Sequence, residues 1–245
     1  MSLNTRNISV VLPSYNEREN VPEAMRRIAE TLGDRLLEII IVDDNSPDRT
    51  WEVVEEMHKS DPRFTVMRRM NKRGLASALA DGTKAAKGDI IVWLDCDLGI
   101  PPEDINKLVE KLPAYDVAIG SRYVPGGMDT RNKFRGFLSY LFNIYTRMVL
   151  GRHFWDWTSG FAAATKDAMR KCPLSEDGFG EYFIEWVYVC TLHNIKMIEV
   201  PYRYGLRKAG ESKTDGDIRV FIKLALTYVT RVVQIRMKHG SRLRS

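Results

Sequence analysis

Two aspartates one residue apart, Asp95 and Asp97, close the apolar run IIVWLDCDLGIPP at residues 90–102. In an extended segment alternate side chains share a face, so both carboxylates would reach one cleft. Oxygen donors without a His or Cys partner suit a hard cation, Mg2+ or Mn2+, and such sites commonly hold it with one or two carboxylates while substrate phosphates complete the shell. That is the chemistry of a departing diphosphate, whose developing negative charge the cation neutralises. Three further polar clusters follow short apolar runs: PSYNE at 13–17, VDDNSPD at 42–48 and GSRY at 120–123. Buried acids are costly unless paired or metal-bound. For Asp43 and Asp44 alone, capping of the helix near Trp51 is an equal alternative; the whole set favours a ligand site. Cations that could face the acids are Arg122 in GSRY, Arg135 in KFRGFLS, and Arg207 and Lys213 in GLRKAGESK. The planar fork of Arg matches phosphate oxygens; the alternative for each is solvated surface charge, equal in weight for Arg135, whereas the position of Arg122 just after a buried strand favours function.

The elements that must position these groups alternate. β-Branched runs at Ile8–Leu12, Glu38–Val42, Phe64–Arg68, Ile90–Leu94 and Val117–Gly120 are separated by helical periods at Val21–Leu32, Thr50–Ser60, Leu75–Ala86 and Pro102–Leu112. This predicts an α/β fold with a mostly parallel central sheet and flanking helices. In such a sheet ligands collect at the carboxyl ends of the strands, where all four clusters fall. No GxGxxG follows the first run and no GxxxxGK[ST] occurs, which argues against a dinucleotide fold and a P-loop.

Two stretches are basic, amphipathic and rich in large apolar residues: 131–150, with Phe134, Phe137, Leu138, Leu141, Tyr145 and Met148 on one side, and 218–237, with Arg219, Lys223, Arg231 and Arg236 among apolar residues. Each could be a core-facing helix; together they predict contact with a membrane surface. The chain has 245 residues, 44% hydrophobic and 28% charged, with a net charge of +5 weighted towards the C-terminus. The apolar residues interleaved in that basic tail fit a membrane better than nucleic acid, and no nucleic-acid partner is expected. Three separated cysteines suggest a reducing environment. With no signal-peptide pattern and no apolar run of ~18 residues, a peripheral membrane protein on the cytoplasmic face is expected.

The segments VLPSYNERENV, IIIVDDNSPDRTWE, NKRGLASALADG, AAKGDIIVWLDCDLGIPPE, DVAIGSRYVPGG, TSGFAAATKDAM and VPYRYGLRKAGESK, spanning about residues 8–213, resemble the dolichol- and polyprenyl-phosphate mannosyltransferases, inverting family-2 glycosyltransferases of GT-A fold. The resemblance implies a GDP-mannose donor, a Mg2+ or Mn2+ ion, a dolichyl or polyprenyl phosphate acceptor, and room for a membrane-anchoring partner subunit. By position, Pro13, Tyr15, Glu17, Asp43 and Asp44 would hold the nucleotide, and Asp95 and Asp97 the metal and donor. Arg122, Arg135, Ser139, Arg207 and Lys213 would surround the donor and acceptor phosphates. Residues 1–215 would form the catalytic domain, with 131–150 as its membrane-interface helix, and 216–245 a basic amphipathic C-terminal helix. Two departures stand out: Cys96 where the family has a small Ala, and Gly99 where a Gln can assist the metal. A phosphate monoester, with a second pKa near 6, attacks without a general base, so a single displacement with inversion is expected. Alternatives are a UDP-glucose or other sugar-nucleotide transferase using the same lipid acceptor, and a non-catalytic, membrane-associated sugar-nucleotide-binding subunit. A processive polysaccharide synthase lacks support, because FIEWVY at 183–188 stands in place of a Q-x-x-R-W motif.

Overall fold

The computed structural model describes residues 7–130, 133–176, 178, 181–205 and 218–240. Strand β1 (Ile8–Ser14) leads into α1 (Val21–Leu32), β2 (Leu36–Asp43), α2 (Thr50–Ser60), β3 (Phe64–Arg68), α3 (Leu75–Ala85) and β4 (Ile90–Trp93). Then follow a 3-10 turn at Pro102–Asp104, α4 (Ile105–Val109), β5 (Val117–Ser121), β6 (Met128–Asp129) and α5 (Lys133–Leu150). The last elements are β7 (Ala162–Thr165), α6 (Lys166–Lys171), α7 (Glu181–Leu192), β8 (Met197–Pro201), β9 (Arg203–Tyr204) and α8 (Ile218–Gly240). The predicted helix at Pro102–Leu112 is thus a 3-10 turn running into a short helix.

One seven-stranded sheet has the order β3-β2-β1-β4-β7-β5-β8, and β6 pairs with β9 in a small parallel ribbon. The main sheet is parallel except for β7, which runs antiparallel between β4 and β5. Two reversals leave β5 pointing the same way as β4, so the ends of β1, β2, β4 and β5 lie on one edge, as the alternation predicts. Side-chain alternation divides the core between two faces: Val10, Leu12, Ile39 and Ile41 join one cluster, while Val11, Ile40 and Val42 join the other. Helix α1 buries Val21, Ala24, Met25, Ile28 and Leu32 on one stripe. Helix α3 lies so close to the sheet that a Cβ on Gly82 would sit 2.4 Å from Val11 Cγ1 and 2.8 Å from Val42 Cγ2; only glycine permits that approach.

Helix α7 is apolar on all sides and buries Phe183, Trp186 and Tyr188. Its one buried acid, Glu185, anchors α8. The carboxylate Oε1 accepts from Lys238 Nζ at 2.9 Å and pairs with His239 Nε2 at 2.8 Å, while Arg231 lies 3.5 Å from Oε2. Val232 and Ile235 of α8 are buried in the core. Helices α5 and α8 also meet, through Tyr145 Oη donating to the Val229 carbonyl at 3.0 Å and an edge-on contact of Phe142 with Tyr228. Both basic stretches therefore have a core-facing side and an outward side. Outward on α5 are Phe134, Phe137, Tyr140, Leu141 and Met148; outward on α8 are Val229, Val233 and Met237. No helix among the described residues is long and apolar enough to cross a membrane.

Candidate active site

The loop after β4 is not extended. Asp95 and Cys96 turn away from the strand, Leu98 adopts φ +58°, and the chain reverses through Gly99. A branched side chain seldom occupies that left-handed region. The expected sharing of a face by alternate residues does not apply. Asp95 is exposed and Asp97 is buried, with Asp97 Oδ1 accepting from Gly99 N at 2.9 Å. The Cys96 thiol lies between them, buried and donating towards the Pro13 carbonyl at 3.5 Å. Burial, and then the nearby carboxylates of Glu17, Asp95, Asp97 and Asp43, push this thiol well above its ordinary range. The buried thiol is thereby kept in its protonated form.

At the end of β2, Asp43 is fully buried and receives Ser46 N at 2.9 Å together with the Ser46 hydroxyl. Burial raises its carboxyl above the usual range, and the Ser46 hydrogen bonds oppose this. Asp44 has a structural partner that the sequence did not suggest. Arg69 grips its Oδ1 through Nε at 2.7 Å and through Nη2, and Gly74 N donates to Oδ2 at 2.8 Å. Glu17 Oε2 accepts from Asn20 Nδ2 at 2.7 Å. The Tyr15 ring is half-buried, with the Arg73 guanidinium 5.1 Å from its centre. Pro13 lies beside both Cys96 and Val42. None of these acids caps α2 by the expected route; Asp48 instead accepts from Thr50 N at 2.9 Å.

Arg122 also departs from expectation. It does not stand in the cleft as an open cation but is buried in a forked pair with Asp156: Nε to Oδ2 at 2.8 Å and Nη2 to Oδ1 at 2.7 Å. Nη2 also donates to Thr158 Oγ1 at 2.7 Å, and Nη1 lies 3.7 Å from Asp129 Oδ2. Ser139 on α5 accepts from Tyr123 Oη at 2.9 Å, one residue along from Arg122. The side chain of Arg135, and Arg207 and Lys213 altogether, fall outside the described residues. Sequence reading missed Arg69, Asp129, Asp156 and Thr158. For Asp156 a signal existed: the string FWDW at 154–157 places an acid among aromatics, where a carboxylate needs a buried cation.

Among the described residues no cluster of three or more His, Cys, Asp or Glu could by itself cage a metal ion. The donor set fits a different arrangement. One exposed and one buried carboxylate at a strand end, with oxygen donors only, suit a hard cation whose remaining ligands come from a substrate. At position 99, a Cβ would lie 3.0 Å from Asp97 Oδ1 and 3.4 Å from the Tyr204 ring. A longer side chain there would crowd the very carboxylate it was expected to assist.

Comparison with known proteins shows the family and the fold. The family described as Glycosyl transferase family 2 matches residues 9–176. A dolichol-phosphate mannosyltransferase of Pyrococcus furiosus is 41% identical over 216 residues, covering 85% of this chain and 59% of that protein. A polyprenol monophosphomannose synthase of Mycolicibacterium smegmatis is 35% identical over 220 residues (86% and 82%), and a dolichol-phosphate mannosyltransferase of Saccharomyces cerevisiae 31% over 221 (86% and 82%). The chain thus spans less than two thirds of the Pyrococcus relative. Among solved structures, glucosyl-3-phosphoglycerate synthase from Mycobacterium tuberculosis, in complex with Mn2+, uridine-diphosphate and glucosyl-3-phosphoglycerate, superposes with a TM-score of 0.68 at 20% identity, covering 98% of this chain and 80% of that one. The likeness shows the GT-A fold.

Proposed function

Since the chain belongs to glycosyl transferase family 2, we propose that it transfers mannose from GDP-mannose to dolichyl or polyprenyl phosphate, giving a β-mannosyl phosphoryl lipid. The mannosyltransferase relatives support the sugar and the acceptor. The observation that carries the reading is the placement of Glu17, Asp43, Asp95 and Asp97 at or just after the carboxyl ends of β1, β2 and β4, on one edge of the sheet. A sheet edge so rich in carboxylates suits a bound cation, and a sugar-nucleotide diphosphate with its metal supplies one. Asp95 and Asp97 would hold Mg2+ or Mn2+, which when bound neutralises charge on the departing diphosphate. Pro13, Tyr15, Glu17, Asp43 and Asp44 would line the nucleotide, with Asp44 fixed by Arg69 rather than adapting to the ligand.

No general base is required on the acceptor. A phosphate monoester is largely dianionic at neutral pH, and its oxygen attacks the anomeric carbon from the face opposite the diphosphate, inverting it. The task of the chain is to hold two repelling phosphates in line. Arg135, Ser139, Arg207 and Lys213 would hold the donor and acceptor phosphates. The outward apolar residues of α5 and α8 would lie in the interfacial layer of a membrane, beside the lipid acceptor. Basic residues near an anionic leaflet add ~1 kcal/mol each. This makes the protein peripheral, acting at the cytoplasmic face with or without an anchoring subunit.

The test is transfer of labelled sugar to a short polyprenyl phosphate in detergent with Mn2+, comparing GDP-mannose with UDP-glucose. Mannose transfer should dominate, and Asp97→Ala should abolish it in a folded protein. Preference for UDP-glucose would replace the donor, and near-normal turnover of Asp97→Ala would overturn the metal assignment.

A further inference from the structure

We infer that Asp156 is a positioning residue for transfer, acting through Arg122 to set the spacing between the acceptor helix and the Asp95–Asp97 loop. The inference rests on the transferase reading above.

The Arg122 guanidinium stands where two chains of contacts cross. One runs to α5. Thr158 Oγ1 accepts from Arg122 Nη2 at 2.7 Å and from Asn143 Nδ2 at 3.1 Å. Asn143 Oδ1 receives Trp157 N at 2.6 Å, and Asn143 Nδ2 also donates to the Ser139 carbonyl at 2.9 Å, one turn earlier on the same helix. Ser139 Oγ in turn accepts from Tyr123 Oη. The other chain runs to the donor side. Arg122 Nη1 faces Asp129 of β6, and its guanidinium lies 5.9 Å from the Tyr204 ring centre. Strand β6 is laced to β9, with Thr130 Oγ1 donating to the Tyr204 carbonyl at 2.7 Å. The next residue, Gly205, donates its N–H to the Gly99 carbonyl at 2.7 Å, inside the turn that Asp97 closes.

Asp156 fixes this crossing. Its carboxylate takes Arg122 N, Nε and Nη2 at 3.0, 2.8 and 2.7 Å, and it is fully buried. Its own backbone is pinned from β8, where Glu199 receives Asp156 N at 2.9 Å and Trp155 N at 2.8 Å. Asp156 and Thr158 take the Nε and Nη2 donors of Arg122, and Nη1 faces Asp129. A forked pair of this kind fixes orientation as well as charge. What it orients is the junction through which Ser139 on α5 is linked to the Asp97–Gly99 turn. In-line displacement is sensitive to such spacing: a shift of about 1 Å can cost about a hundredfold in rate.

The experiment compares Asp156→Asn, Arg122→Lys and the double variant Arg122→Met/Asp156→Leu with the wild-type protein. It measures thermal unfolding, GDP affinity by calorimetry with Mn2+, and kcat and KM for GDP-mannose and polyprenyl phosphate. Asp156→Asn should lose about a hundredfold in kcat, with GDP affinity and both KM values within about threefold. Arg122→Lys keeps the charge but not the fork, and should lose as much kcat. The double variant removes both charges of the forked pair together and should regain at least about tenfold over Asp156→Asn. It also decides the question if the single variant does not fold. A folded Asp156→Asn with wild-type kcat overturns the inference. So does Arg122→Lys with wild-type kcat and a raised acceptor KM, or a double variant less active than Arg122→Lys; both would make Arg122 a direct phosphate ligand. A wild-type protein that binds GDP but transfers no mannose sinks the transferase reading and this inference together, whereas loss of the inference alone leaves wild-type transfer intact.

Discussion

Replacing Arg69 with Met should be among the most damaging single changes on the donor side. All five N–H donors of this guanidinium have partners: Nε and Nη2 on Asp44, Nη2 on the Gly74 carbonyl at 3.0 Å, and Nη1 on Ser77 Oγ at 2.9 Å and Asp81 Oδ2 at 3.0 Å. The Arg69 side chain is 5% exposed and that of Asp44 11%. This is therefore not a surface pair worth about 0–1 kcal/mol. Removing one partner of a buried pair costs about 3–5 kcal/mol, because the other charge is left uncompensated. For a chain of this size each kcal/mol moves the melting temperature by about 2–4 °C, so Arg69→Met should melt about 6–20 °C below wild type. Thermal and urea unfolding followed by circular dichroism would measure it. The double variant Arg69→Met/Asp44→Asn removes the stranded charge and should recover a substantial part of the loss. A loss under about 1 kcal/mol, or a double variant no more stable than the single, would refute the claim that this pair is desolvated and acts as a unit. GDP affinity should fall with stability in Arg69→Met, since the ends of β2 and β3 share this anchor.

Two further outcomes are expected. Phe134 and Phe137 are 62% and 57% exposed on α5, so burying each in a bilayer interface is worth about 1–2 kcal/mol. Phe134→Ser/Phe137→Ser should then weaken sedimentation with vesicles of phosphatidylcholine and phosphatidylglycerol by about 30-fold or more, and unchanged partitioning would remove α5 from the membrane. At the surface, Lys84 and then Lys72 hold the Glu176 carboxyl down at about 2, against an ordinary 4.5. A depressed carboxyl contributes stability that is present above its unfolded pKa and is lost as pH falls through the folded one. Glu176→Gln should accordingly flatten the stability curve between about pH 4.5 and 2, with the difference shrinking in high salt; a curve parallel to wild type would contradict the pairing.

The five predicted strands and three of the four predicted helices of the first half were legible because their apolar residues follow one period each and carry clear stops. Thr50–Ser60 and Phe64–Arg68 match residue for residue. Strand β7 was not legible. Ala162, Ala163 and Ala164 have little strand preference, and they form a strand because both of their edges pair, with β4 on one side and β5 on the other. Helix α7 has apolar residues all round and so shows no helical stripe. At the site, the strand-end acids could be read from the sequence. Which of the predicted site residues are locked in a buried ion pair could not, because Arg69 and Asp156 lie far along the chain from Asp44 and Arg122 and meet them only in the folded chain.

The antiparallel placement of β7 has a consequence for how the molecule is made. Strands β1 to β4 can assemble as soon as they leave the ribosome, but one flank of β4 has no neighbour until Ala162–Thr165 arrives. Such an open flank invites pairing with other nascent chains. Since β7 then serves both β4 and β5, its insertion is the step that joins the β1–β4 part of the sheet to the β5–β8 part. Any delay in synthesising the intervening stretch prolongs the interval in which the two halves exist apart.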